Sequence, residues 1–495
     1  MTRYTYEPLT ALDDSFLLHE RPNAFMHVAS VAVLDAGPLA APTGGVDIGR
    51  IRRGIAAVLH RLPRYRQKLD RIPITGAPIW IDDDEFSLDY HVRHTSLPRP
   101  GDREQLKRLA ARIMAGHLDR SRPLWECWVV EGLEGGQFAV INKTHHAMID
   151  GSAGIDLMNV LMTPSPEVRE AEVPAFIPRR PPTASELAWD ELRRRARLPF
   201  DAVRDLGELW RAARNTRRGI LNRARQIAEI AGASLRSASA TPLNQRIGPH
   251  RRFDWTTHEV DALKAVRQEL GGTLNDIVLT IVTGAVRRFL SYRRVDPATI
   301  DFRVLAPVSV EEDGPAGPRG IGHRVSAWFV PLPIDEPDAA SQRAAISETT
   351  RELETRKPAV AAGQLMNAGE WNPGTLLSLG ARNATRLTPY NIEVTNVPGP
   401  QVPIHLLGAR MTEIYPLVPL VEGVGLGIAL FSYAGRLHWG VNADYELVPD
   451  LDRFIGFLDD AFDDLRKAAH AKRRLRAGKT PSRKRARKAQ SAAEA

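Results

Sequence analysis

One cysteine, Cys127, is all that 495 residues contain, which excludes a disulfide framework within the chain and fits a reducing compartment. It lies in the apolar run Trp125-Glu-Cys-Trp-Val-Val130, so buried packing is expected of it rather than reactivity. No apolar stretch reaches the roughly 18 residues that a membrane-spanning helix needs. The nearest, Tyr415 to Tyr433, is broken by Pro416, Pro419 and Glu422 and reads as strand, turn, strand. The opening Met1-Thr-Arg-Tyr-Thr-Tyr-Glu-Pro8 has no apolar core of the secretory kind, which points to the cytoplasm. There is no G-x-S-x-G elbow, so no serine nucleophile is announced.

Net charge is scarce outside one place. The formal net charge is +8, but residues 469–495 hold ten Lys/Arg against one acid, Glu494, so the rest of the chain sums to about −1. This basic segment is expected to be a solvated, disordered tail. Its functional alternatives are attraction to anionic lipid headgroups, worth roughly 1 kcal/mol per basic residue near the surface, or nonspecific nucleic-acid binding. With no aromatic side chain between 469 and 495, base stacking is unavailable, which favours lipid, or no partner, over sequence-reading of a nucleic acid.

With 43% hydrophobic residues the chain has ample material for several cores. At about 150 residues per domain its length predicts two to four domains. Residues 1–163 read as one mixed sheet-and-helix domain. Thr10-Ala-Leu-Asp13 signals a helix start, His27–Leu34 a strand, and Ile48 to Leu62 an amphipathic helix. Glu126–Gly132 and Gln137–Thr144 read as a hairpin across Leu133-Glu-Gly-Gly136. Residues 164–248 form a proline-rich linker and an arginine-rich helical crossover, read either as a solvated connection or as a helix lying on a membrane. Sheet and helix return over 249–468, with strands at Phe302–Pro307, Arg324–Leu332 and Ile392–Asn396 and a hairpin across Tyr433-Ala-Gly435. Two halves of similar texture predict a pseudo-twofold α/β architecture with mixed sheets and a site between the halves.

The segment His145-His146-Ala-Met-Ile-Asp150-Gly151 places imidazoles at the end of the hairpin's second strand. Histidine takes and returns a proton near neutral pH, since its ordinary pKa is about 6.5. General-base chemistry is therefore expected, with Asp150 orienting a ring or anchoring the loop and Gly151 permitting unusual backbone angles. Satisfied structural histidines and metal ligands are the competing readings. Adjacent strand residues point to opposite faces and no further His/Cys cluster has ligand spacing, so no metal is expected.

Together with Pro123-Leu124-Trp125, Asn275-Asp276, Pro307-Val308-Ser309-Val310 and Asn396-Val397-Pro398-Gly399-Pro400, this motif resembles the bacterial wax ester synthase/diacylglycerol acyltransferase family. Leu9-Thr-Ala-Leu-Asp13 and Met26-His27-Val28 fit the start of that family, and the resemblance runs over residues 5–466. The His-His-x-x-x-Asp-Gly motif alone is shared with chloramphenicol acetyltransferases and condensation domains; the five motifs in this order are more specific. Gly322-His323-Arg324 departs from the family, which usually carries Gly-Asn before Val325-Ser326.

The resemblance implies two chloramphenicol-acetyltransferase-like domains with a tunnel between them, and acyl transfer in a ternary complex without an acyl-enzyme. Acyl-CoA is then the co-substrate, with no bound cofactor, and the acceptor is diacylglycerol or a long-chain alcohol. His146 would be the base, His145 a structural partner, Asp150 an anchor of the loop through an arginine, and Gly151 would keep the approach open. Asn275 would either polarise the thioester carbonyl or brace the site, or else simply cap a helix. The implied location is cytoplasmic, on the inner face of the membrane or on lipid droplets. A non-catalytic lipid-binding protein is the alternative of another class.

Overall fold

The computed structural model describes residues 5–42, 44–73, 75–148, 157–168, 172–193, 238–310, 324–356 and 389–479. Asp150, Gly151, the arginine-rich segment 194–237, His323 and residues 480–495 lie outside them.

Local signals start the chain. A short strand β1 (Glu7–Pro8) leads to helix α1 (Ala11–His19), whose N-terminus is capped by Thr10 accepting the Asp13 N–H at 3.1 Å. Strand β2 (His27–Asp35) follows, then α2 (Ile48–Val58), which Asp47 caps and which buries Ile51 and Ile55. Strands β3 (Gln67–Arg71) and β4 (Pro78–Asp82) pair with β1 in a small sheet. Next come α3 (Leu88–His91), β5 (Val92–Ser96) and α4 (Arg103–Ala115). The expected hairpin is β6 (Trp125–Leu133) and β7 (Gln137–His145), turned by Gly135 and Gly136 at φ of +77° and +69°. Helix α5 (Leu157–Leu161) and β8 (Met162–Thr163) close this half.

The second half runs through β9 (Arg251–Glu259), α6 (Val260–Leu270), α7 (Leu274–Tyr292), β10 (Arg303–Val310), β11 (Arg324–Pro331) and α8 (Ala339–Arg356). It ends with β12 (Ile392–Pro398), β13 (His405–Leu406), β14 (Ala409–Leu417), β15 (Leu426–Tyr433), β16 (Arg436–Asp444) and α9 (Leu451–Lys479). Helix α9 continues to Lys479, which corrects the expectation of a disordered tail from residue 469: Ala469 is still buried against the core, and the helix carries on into the first basic residues beyond it.

Two large mixed sheets carry the fold. One has the order β11-β10-β12-β15-β16-β9, and alternate residues Leu426, Ile428, Leu430, Leu437, Trp439 and Val441 bury one face against α6, α7 and α9. The other has the order β5-β6-β7-β2-β14-β13-β8. Strands β13 and β14 come from late in the chain, so the first half's sheet is completed by the second.

The free face of the second-half sheet meets β14 without a gap. A Cβ on Gly440 would lie 1.8 Å from the Pro416 carbonyl oxygen, so only glycine fits there. Trp255 of β9 stacks on Tyr415 of β14 at 4.4 Å, and Asn442 donates to the Val418 carbonyl at 2.9 Å. Helix α4 adds an ion pair from Lys107 to Asp254 at 2.5 Å. Val31, Val33, Leu106, Phe253 and Tyr415 thereby share one apolar cluster across the two halves.

Gly399 marks a second close approach, since a Cβ there would meet the Phe431 ring and the Ser432 carbonyl at 2.3 Å. The Asn-Val-Pro-Gly-Pro motif is thus the packed end of β12, with the Gly399 N–H donating to Ser432 Oγ at 3.1 Å.

Candidate active site

β7 ends at His145, in register with His27 of β2, and the chain then tightens into a 3₁₀ turn over His146–Met148. Two main-chain bonds fix where the strand stops. The His145 N–H donates to the Leu124 carbonyl at 2.9 Å, and the His146 N–H to the Met26 carbonyl at 2.7 Å. Pro123-Leu-Trp is therefore the rail along which His145 is held. Trp125 is anchored in turn by its Nε1–H donating to the Tyr65 carbonyl at 2.8 Å and by a His91 ring stacked at 4.6 Å. Tyr65 also accepts the Leu157 N–H at 3.1 Å, pinning α5 on the far side of the motif.

The two imidazoles find different partners. His145 is 1% exposed, and its Nε2 lies 3.1 Å from Glu20 Oε1. The Ala147 N–H donates to His145 Nδ1 at 3.0 Å, so Nδ1 holds a lone pair and the ring proton sits on Nε2. His146 is half-buried and stacks on Phe16 of α1, ring centroids 4.0 Å apart. Its Nδ1 is buried with no partner in hydrogen-bond geometry among the described residues. Burial pulls the His146 pKa below the usual 6.5, a contact with its own main-chain carbonyl opposes this, and His145 lowers it further.

Burial pushes the Glu20 carboxyl up, yet hydrogen bonds from His145, Arg120 and the Met26 N–H bring it below the ordinary range. His27, beside it, is driven well below 6.5 by burial and then by Lys143, His145, His117 and Arg120. Lys143 lies buried next to this cluster, donating to the Ile113 carbonyl at 2.8 Å and to that of Gly116. Burial brings its pKa down to about 8. Cys127 is buried, its thiol pushed up to about 12, as its apolar run predicts.

Glu20, His27 and His145 bring three ligand-capable atoms within 4.8 Å of one another. Sequence spacing misses this trio, since 125 positions separate Glu20 from His145. The donor set is unsuited to an ion, because the His145 nitrogen that would ligate already carries the ring proton.

Asn275 lies in the first turn of α7, and it is not the helix cap. Thr273 caps, accepting the Asp276 N–H at 3.1 Å while Asp276 accepts the Thr273 N–H at 2.8 Å. The capping alternative for Asn275 is thereby corrected: the chain has a threonine one residue before the helix, with an acid at the third position to complete the box. Asp276 also takes hydrogen bonds from Ser347 and Thr350, tying α7 to α8. Asn275 is half-buried. The structure brings His145 and His146 together with Phe16, Glu20 and His27; His27 belongs to a motif of the family resemblance, whereas nothing in the sequence assigns Phe16 or Glu20 to the site. A ring stacked on an imidazole is visible only once α1 is folded against the turn.

The profile of the wax ester synthase/diacylglycerol acyltransferase catalytic domain matches residues 9–278, and that of the family's C-terminal domain residues 321–466. A putative diacylglycerol O-acyltransferase of Mycobacterium tuberculosis is 32% identical over 90% of this chain and 87% of its own. A probable diacylglycerol O-acyltransferase of the same organism, tgs1, is 31% identical over 94% of this chain and 96% of its own. Among solved structures, the wax ester synthase/diacylglycerol acyltransferase of Marinobacter aquaeolei superposes with a TM-score of 0.64 at 22% identity, covering 94% of this chain and all of that one (100%). A starter condensation domain of rhizomide synthetase, solved in complex with C8-CoA, shares the fold at a TM-score of 0.54 and 15% identity, over 93% of this chain and 96% of its own. With matching profiles over most of its length, relatives above 30% identity from end to end and the shared fold, the chain belongs to the wax ester synthase/diacylglycerol acyltransferase family.

Proposed function

We propose that this protein moves a long-chain acyl group from acyl-CoA to the hydroxyl of diacylglycerol, forming triacylglycerol by direct attack in a ternary complex. The observation that carries the reading is His146. Its Nδ1 is buried against its own main chain, its ring is clamped on Phe16, and Nε2 is the nitrogen left to meet a substrate. His146 Nε2 takes the proton as the hydroxyl oxygen bonds to the thioester carbonyl carbon, and returns it to the CoA thiolate as the C–S bond breaks. The chain's one cysteine is no competing nucleophile, since Cys127 is a buried thiol with a raised pKa.

Asn275 would polarise the thioester carbonyl or brace it from the second half, where the N-terminal turn of α7 lends positive potential. Asp150 would hold the loop through an arginine, and Gly151 would leave the approach clear. A membrane or droplet surface is the natural place for such acceptors. Supporting this, Arg50 and Arg53 of α2 and Arg61 of the turn that follows it line a groove of about 530 Å³ together with Ala57, Val58 and Leu161. No helix among the described residues is long and apolar enough to cross a membrane.

The test is acyl transfer by purified protein from a long-chain acyl-CoA, with diacylglycerol and hexadecanol offered separately. Triacylglycerol supports the proposal. Wax ester alone moves the acceptor to long-chain alcohols, and neither product leaves a lipid-binding protein.

A base must be neutral to act, and burial keeps His146 neutral below its ordinary pKa. The acid limb of kcat/KM is therefore expected below pH 6.5. Phe16→Ala removes the stacked ring, admits water to the imidazole and should shift that limb upward, toward about 6.5. A limb that stays put in the variant would show that stacking does not set the protonation of the base.

A further inference from the structure

We infer that Glu20 is a positioning residue for acyl transfer, holding His146 through the peptide groups on both of its sides. The inference rests on His146 being the base. Glu20 directly follows α1, and its side chain is 10% exposed. Oε1 accepts the Met26 N–H at 3.0 Å and lies 3.1 Å from His145 Nε2, which carries the ring proton. Oε2 accepts from Arg120.

Both Oε1 partners pass the restraint on to His146. The Met26 carbonyl accepts the His146 N–H at 2.7 Å, and His145 Nδ1 accepts the Ala147 N–H at 3.0 Å. Those two N–H groups belong to the peptide planes before and after the His146 Cα. Two pinned planes leave the residue little freedom in φ and ψ, and hence little freedom in where its ring points. One carboxylate therefore sets, through one main-chain bond and one imidazole, the direction of the neighbouring side chain.

The arrangement is costly to build without a purpose. A carboxylate withdrawn from water is stable only when its oxygens are engaged, and here both are. His145 in turn is locked in the one tautomer that serves both of its neighbours. Removing the carboxylate frees the Nε2 proton, so that His145 can exchange tautomer or turn and release the Ala147 N–H.

The test uses the full-length protein in the transfer assay. Glu20→Ala is expected to lower kcat about 100-fold, the loss that a misplacement of about 1 Å brings, with KM for acyl-CoA nearly unchanged. Glu20→Gln keeps a carbonyl oxygen able to accept both hydrogen bonds and should recover activity to within about fivefold of the parent. The deciding measurement is the cycle with His146→Ala. If Glu20 acts through His146, adding Glu20→Ala to that variant costs nothing further on the residual rate, whereas additive losses overturn the inference. Equal losses in the Ala and Gln variants, tracking a lowered Tm and a raised KM, overturn it too. Should Glu20→Ala fail to fold, Glu20→Asp keeps the charge but retracts the oxygens; it is expected to lose about tenfold in kcat alone. His146→Ala by itself decides the base. Near-parental activity there sinks that reading and this one together, while an inactive His146→Ala beside additive losses sinks only the role of Glu20.

Discussion

Replacing His146 with alanine is expected to lower kcat for acyl transfer about a thousandfold, with KM for acyl-CoA within a few-fold of the parent. A positioned general base contributes on the order of 10²–10⁴ in rate, and among the described residues of this site no second base stands ready to take over. His145 is committed to Glu20 and Ala147, and burial drives the nearby His27 well below its ordinary pKa. A loss of about a thousandfold corresponds to roughly 4 kcal/mol of transition-state stabilisation. The fold should tolerate the change, since His146 is half-buried and donates only its main-chain N–H, which alanine retains. His145→Ala should behave differently. It leaves the Glu20 carboxylate facing an emptied site and lowers stability by about 1–3 kcal/mol or more, as well as activity. Steady-state kinetics beside thermal melts separate the two patterns. A His146→Ala protein that still turns over at a tenth of the parental rate would remove the residue from the chemistry.

Gly440→Ala is expected to be among the most damaging small changes in this chain. Its Cβ would sit 1.8 Å from the Pro416 carbonyl oxygen and 2.9 Å from the carbonyl carbon, both main-chain atoms with no side-chain freedom to yield. Either β16 or β14 must withdraw. Those strands belong to different sheets, so the displacement opens the junction on which Trp255, Tyr415 and Asn442 also converge. Overpacking of this kind costs about 3 kcal/mol, and a fall of several degrees in Tm should be plain. Transfer activity should fall with it, because β14 pairs with β2, whose first residue His27 pairs with His145, and Met26 just before it accepts the His146 N–H. Gly456→Ala provides the contrast. It lies exposed within α9, a Cβ there meets nothing within 4 Å, and the same substitution should stabilise by about 0.5–1 kcal/mol. If both variants melt alike, the two sheets do not meet at Gly440.

Much of the local structure was legible before any coordinates. The Thr10 cap, the Leu133-Glu-Gly-Gly136 hairpin, the alternation of β2 and the amphipathic pattern of α2 each depend on neighbours a few residues away. The placement of His145 and His146 at a strand end was readable for the same reason. Asn275 shows the limit even at short range, because a cap is chosen by which residue leaves helical geometry first. Here Thr273 with Asp276 does so better than an asparagine already inside the turn.

The surroundings of the His pair were not readable, since they depend on contacts between distant segments. Glu20 and His145 are 125 residues apart, and no periodicity links a residue following α1 to the end of β7. Phe16 belongs by its sequence pattern to the apolar side of α1; its stacking on His146 follows from how that helix docks. The pairing of β14 with β2 likewise joins Leu417 to Ala29 across most of the chain.

What the sequence alone determined is therefore the alphabet of elements, the family motifs and the presence of an imidazole at a strand end. These are properties of side-chain type and short spacing, which act before the chain folds. Tertiary structure alone decided which histidine is locked to a carboxylate, which one stacks on Phe16, and that late strands complete an early sheet. Burial, desolvation and hydrogen-bond geometry arise only when segments far apart in sequence exclude water from one another.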